Sequence, residues 1–206
     1  MTTFFAIGIV LNVALTGLAL YWLWRQRIPK QGKDEIGKSR NDRGQNRREQ
    51  IGAPDETNHF LAGHARLLTG SYRHWTGRDL VDPGLSAAEQ ARALYEASFI
   101  VASHGVETDP VFNYANRAAL GLFETGWSDF TSMPSRLSAE PMEREQRAHL
   151  LERVNRRGFI DDYSGIRISA TGRRFRIQRA TVWNVIDTHG APAGQAVMFR
   201  DWKYLR

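Results

Sequence analysis

The sequence predicts an α+β fold: a five-stranded antiparallel sheet with helices on one face, preceded by N-terminal helices and a single transmembrane helix. Three observations predict it. Two short strand-like segments precede a group of helical segments, and three strand-like segments joined by hairpin turns come after them; that order builds one antiparallel sheet with a helical layer. An uncharged apolar run opens the chain, and the net positive charge is confined to the segment after it.

Residues 3–24 contain no Asp, Glu, Lys, Arg or His, and roughly 20 apolar residues suffice for a helix to cross the hydrocarbon core. No basic residue precedes the run, and Tyr21, Trp22 and Trp24 close it in the manner of an interfacial aromatic belt. A retained anchor is expected rather than a cleaved signal peptide. From Arg25 to Arg48 there are nine basic residues against three acids, which accounts for the whole formal charge of +6; the remainder, with nineteen of each sign, is neutral. Positive charge on that side of the span places the chain from Arg25 onward in the cytoplasm and the short N-terminus outside. The expected localisation is therefore a single-pass inner membrane protein. On the span, Gly8, Asn12 and Thr16 fall on one face, which suits either self-association or a lone helix tolerating one amide.

Residues 25–57 are poor in large apolar side chains and read as a basic flexible linker, which leaves 58–206 as the folded domain. There, His59, Phe60, Leu61, His64, Leu67, Leu68, Tyr72 and Trp75 recur at helical spacing up to Gly77. Ser86 caps a second helix through Glu96. Phe99 to Ala102 reads as a short strand ended by His104-Gly105. Val111, Phe112 and Tyr114 form the next, which runs into a helix capped by Asn116. Short turns around Trp127 and Phe130 precede a long helix over 140–156, started by Pro141 and stopped by Gly158. Phe159 to Ser169, Arg173 to Asp187 and Ala193 to Trp202 are the closing strands, with Thr171-Gly172 and His189-Gly190 as their turns.

The absence of cysteine excludes disulfides, thiolate metal sites and cysteine nucleophiles. Six scattered histidines form no metal-ligand motif, and no phosphate-cradling glycine loop or Gly-x-Ser-x-Gly occurs. Asp161 and Asp162 are strand neighbours on opposite faces, unsuited to act together as acid and base. No catalytic residue and no metal site is expected, and the cofactor is unknown.

The segments "DPVFNYANRAALGLFE", "GFIDDYSGIRISATGRRFRI" and "GQAVMFRDW" resemble the strand-to-helix corner, the hairpin and the last strand of PAS domains. More closely, "HARLLTGSYRHWTGRDL", "SRLSAEP" and "GFIDDYSGIRISATGRRFRIQRATVWNVID" are similar to bacterial MEKHLA-domain proteins, PAS-like modules that also occur at the C-termini of plant homeodomain-leucine-zipper regulators. The resemblance covers about 58–202. It implies a sensory or protein-interaction module and names no ligand. Some PAS-like proteins hold haem through a histidine on the long helix, where His149 lies; a packed or solvated side chain is the ordinary reading of that residue.

A PAS-like pocket between sheet and short helices would be lined by Tyr114, Asn116, Phe123, Trp127, Phe159, Tyr163, Arg179 and Trp183; at their spacing simple core is the preferred reading of the aromatics, and function then rests on surfaces and dimerisation. Arg179 shares strand parity with Phe175, Ile177, Thr181, Trp183 and Val185. A charge facing a core needs a partner, either Asp161 or Asp162 or an anionic ligand, unless a bulge turns it outward. The expected function is that of a non-enzymatic, membrane-anchored cytoplasmic PAS-like sensor or interaction module that changes partner contacts on binding a small molecule or on self-association. A ligand-free structural adaptor, or a transcription-related regulator, is the alternative. The 59–75 helix is expected to be the coupling or dimer element, since its apolar stripe needs a partner surface; the partners considered are a second copy of the chain, an unidentified signalling protein, and the membrane through the N-terminal helix, and no nucleic acid is expected.

Overall fold

The computed structural model describes residues 52–139, 153–154 and 156–206. The expected transmembrane helix and most of the linker lie outside the described residues, as do Pro141 and His149 of the expected long helix, of which 153–154 and 156–157 are described as helical.

After a short 3-10 turn at Glu56–Leu61 come helices α1 (Ala62–Thr76) and α2 (Ala87–Glu96), strands β1 (Ile100–His104) and β2 (Phe112–Ala115), and helices α3 (Arg117–Phe123) and α4 (Trp127–Thr131). Strands β3 (Phe159–Ile168), β4 (Arg174–Ile186), β5 (Pro192–Phe199) and β6 (Asp201–Tyr204) complete the chain. The first helix starts three residues later than its periodicity suggests. His59, Phe60 and Leu61 all take left-handed backbone angles (φ 52° to 55°), which breaks an α-helix. Gly77 (φ 69°) closes α1, and Ser86 with Glu89 makes a reciprocal capping box on α2.

The expected antiparallel sheet with helices is present, and the remainder of the expected fold class differs on three points. First, the antiparallel sheet has six strands, in the order β2-β1-β5-β4-β3 with β6 also pairing β4. The single closing strand expected over Ala193 to Trp202 is interrupted at Arg200, so β4 pairs β5 along Thr181 to Ile186 and β6 along Phe175 to Gln178. Second, helices cover both faces. Ile100, Val101, Ala102 and Ser103 are consecutive and all buried, and alternate strand residues point to opposite sides. Helix α1 meets the Ser103 side, where His64 reaches the Ser103 hydroxyl, and α3 meets the other, where Phe123 packs edge-on against Phe175. Third, no helix among the described residues is long and apolar enough to cross a membrane. The longest, α1, has 15 residues and carries His64, Arg66, Arg73 and His74, too short and too polar for a core about 30 Å thick.

Arg179 makes the two-sided arrangement possible. Its left-handed φ of 50° sits at the junction where β4 leaves β6 for β5, and strand parity inverts there. Phe175 and Ile177 are buried before it; Ala180, Thr181, Trp183 and Val185 are buried after it. The bulge turns Arg179 outward, so it leaves the face its parity assigned to it. Its side chain is 80% exposed and pairs with Asp201 at 2.6 Å, not with Asp161 or Asp162. Those two carboxylates pair instead with Arg78 and Arg153.

Helix α1 is fastened where β3 stops. Past the Phe159–Trp183 pair, β3 ends, and Asn184 N of β4 donates to Gly158 O. There the Ser71 hydroxyl donates to Ile186 O and accepts from Ile186 N, and Trp75 Nε1 donates to Asn184 O. Gly158 (φ 78°) lies flat under the Trp75 ring, and a Cβ added to it would come within 2.0 Å of that ring.

Candidate functional site

Residues directly opposite each other on antiparallel strands share a face. The pairings Tyr114–Ser103, Ser103–Ala196, Ala196–Trp183 and Trp183–Phe159 therefore define one row across five strands. Helix α1 lies over this row. His64 stacks on Tyr114 with ring centroids 5.4 Å apart, and Tyr72, two turns on, meets Trp183 edge-on at 5.1 Å. Trp127 from α4 approaches Tyr114 edge-on at 6.1 Å. Leu68, Leu94, Val101 and Val185 belong to the same core.

The polar groups of this compartment divide into two kinds. Ser103 Oγ donates to Asn113 Oδ1 at 2.6 Å and meets His64 Nε2 at 3.0 Å. Because the single serine proton goes to the amide oxygen, Nε2 must donate to Ser103, and His64 is the neutral tautomer protonated at Nε2. Burial pushes its pKa down to about 4. By contrast, Tyr114 OH and Trp183 Nε1 are buried with no hydrogen-bond partner among the described residues. Burial, with the nearby Tyr95, raises the Tyr114 hydroxyl well above the usual phenol range, so it stays a protonated donor.

The α3 side of the sheet forms a separate compartment. Phe112 stacks on Phe130 at 4.2 Å, and Phe123 packs against Phe130 and Phe175. The Tyr163 ring lies under the Arg167 guanidinium, and its hydroxyl is likewise buried without a partner among the described residues. A clasp closes one end: Glu124 accepts hydrogen bonds from Ser169 and Thr171 of the β3–β4 turn, which hold its carboxyl below the usual carboxylate range, and Phe123 O accepts from Ala170 N.

The eight residues expected to line a pocket are thus not one set. Tyr114, Trp127, Phe159 and Trp183 share the α1 side; Phe123 and Tyr163 belong to the α3 side; Arg179 is outside both. Asn116 is structural. Fully buried, it accepts from Val101 N and Ala119 N at 3.0 Å each and donates to Phe99 O at 2.7 Å, capping α3 while extending the β1–β2 pairing. Sequence reasoning assigned no site role to His64, Ser103 or Asn113. The available signal was a histidine on the apolar stripe of α1, one turn before Leu68 and two before Tyr72.

The MEKHLA domain model matches residues 62–204, most of the chain. The chain belongs to the MEKHLA-domain family. Curated relatives of this MEKHLA protein include the homeobox-leucine zipper protein HOX32 of Oryza sativa subsp. japonica, 25% identical over 142 residues, which cover 68% of this chain and 16% of the relative. The homeobox-leucine zipper protein ATHB-9 of Arabidopsis thaliana is 24% identical over 145 residues, covering 68% and 17%. The chain therefore spans about a sixth of the length of these relatives. Among solved structures it is similar to the PAS domain of a protein from Colwellia psychrerythraea (TM-score 0.48, 12% identity, covering 55% of this chain and 93% of that one). It is also similar to an RNA-binding light-oxygen-voltage receptor (TM-score 0.47, 17% identity, 58% and 34%). The expected localisation as a single-pass inner membrane protein is corrected by these findings. The relatives are named as homeobox-leucine zipper proteins, and no described helix can span a bilayer.

Proposed function

We propose that this MEKHLA domain is a non-enzymatic, PAS-like sensory or protein-interaction module that takes up a small molecule in its interior and passes that occupancy to a partner through the α1–α2 layer. One observation carries the reading: Tyr114, Tyr163 and Trp183 each bury a polar atom that no described residue satisfies. A buried donor without an acceptor costs about 1–3 kcal/mol, so three in one domain favour an interior built for an occupant. The layer suits transmission because α1 is held to the sheet at discrete polar points, His64, Ser71 and Trp75, which a change in the core can load or release. Leu68 and Tyr72 of its apolar stripe pack into the core, which supports the coupling role for this helix.

Native mass spectrometry of the full chain tests this. A mass above that of the bare polypeptide, lost on mild activation, supports an occupied interior; the bare mass alone, under conditions that keep the chain folded, counts against it. The second reading is a ligand-free, transcription-related regulatory module, favoured by the relatives' identity as homeobox-leucine zipper proteins. It predicts full stability without any occupant.

A further inference from the structure

Resting on that reading, we infer that the occupied site is on the α1 side of the sheet, and that its ligand is a small uncharged molecule with an apolar body and carbonyl-type hydrogen-bond acceptors, received by Tyr114 OH and Trp183 Nε1.

Placement rests on strand register. The two unpartnered groups belong to one row, Tyr114–Ser103–Ala196–Trp183, and between them stand only a serine and an alanine. Three strand spacings separate their backbones, roughly 14 Å. Large side chains stand at both ends of this row and small ones in its middle, and Leu68 of α1 packs into the same core between His64 and Tyr72. The opposite compartment has one such group among the described residues, Tyr163 OH, against two on the α1 side.

The chemistry of the ligand is set by the donors and by what is missing beside them. An indole N–H can only donate, and a hydroxyl held in its protonated form is available to donate. The ligand must therefore accept at the indole, and an acceptor facing the phenol takes up that group's one proton. None of the buried residues described is charged, and His64 is neutral and committed to Ser103. A carboxylate or phosphate would enter without a counter-charge, at a cost that excludes it. Leu68, Leu94, Val101 and Val185 require the rest of the molecule to be apolar.

The probe pair is 2-octanone and octanoate, matched in chain length and differing in charge, applied to the full-length protein with the thermal midpoint as readout. 2-Octanone is expected to raise the midpoint by about 2 °C or more at saturation, octanoate by less than a quarter of that. Tyr114→Phe, which removes one oxygen, is expected to lose more than half of the ketone shift; Trp183→Phe is the second variant with the same expectation. Tyr163→Phe is expected to keep it. An equal shift with octanoate, no shift with 2-octanone, or an undiminished shift in Tyr114→Phe and Trp183→Phe overturns the inference. A shift lost in Tyr163→Phe and kept in Tyr114→Phe overturns it too, while leaving the sensory reading intact with its site on the α3 side.

Discussion

Replacing Asn116 by alanine removes one side chain and opens its three shortest hydrogen bonds at once. The cap on α3 is lost, because Ala119 N no longer has its acceptor, at about 1 kcal/mol. Val101 N–H and Phe99 C=O lose their partners inside the core, and each orphaned buried group costs about 1–3 kcal/mol. The sum is about 3–7 kcal/mol, against a total stability of about 5–15 kcal/mol for an ordinary domain. Urea unfolding of the full chain, monitored by tryptophan fluorescence, is the assay: the midpoint should fall by a fifth or more, or the variant should fail to fold. Asn116→Asp refines the test. It keeps both acceptors but loses the donor and sets a carboxylate against Leu94 O, Ala97 O and Phe99 O, which raises its folded pKa above the unfolded value. Protonated, that carboxyl can donate to Phe99 O, so the loss relative to wild type should shrink below the unfolded pKa and grow as pH rises through the folded one. A loss below about 1 kcal/mol for Asn116→Ala would mean that the residue is only a helix cap and that the corner is held otherwise.

Other perturbations have equally specific outcomes. The folded pKa of His64, near 4, lies below its unfolded value of 6.5, so its contribution is complete above pH 6.5 and is lost as pH falls toward 4, by about 3 kcal/mol in all; His64→Phe should flatten the stability profile between pH 6.5 and 5, and an unchanged slope would contradict the burial. Gly158→Ala has a positive φ and no room beneath Trp75; an unfolding midpoint lowered by several degrees is expected, with faster amide exchange in α1. Arg179→Ala removes an exposed pair with Asp201 and should change stability by under about 0.5 kcal/mol with no effect on any bound ligand; an effect on ligand retention would return Arg179 to the interior.

Features governed by neighbouring residues were legible in the sequence. Both hairpin turns lie where Thr171-Gly172 and His189-Gly190 place them, with Gly172 at φ 87° and Gly190 at φ 81°, and Asn116 caps its helix as its residue type suggested. What depended on distant partners was not. A period-two pattern carried through Arg179 puts Phe175 and Trp183 on one face, and only a backbone bulge, set by where β5 gives way to β6, separates them. That misreading merged two compartments into one pocket. His64 and Ser103 are 39 residues apart, so nothing local joins them. The sixth strand was hidden because Phe199 and Trp202 continue one apolar run across the break at Arg200.

Whether the interior takes an occupant is decided most directly by hydrogen exchange on two samples of the full chain. One is used as purified, and the other is unfolded in urea, dialysed and refolded to strip any small molecule. The account predicts that stripping speeds exchange in α1 and in β4 from Thr181 to Ile186, the elements enclosing Tyr114 and Trp183, while β6 is unaffected. Identical exchange in the two samples, together with identical native masses equal to the bare chain, would contradict it.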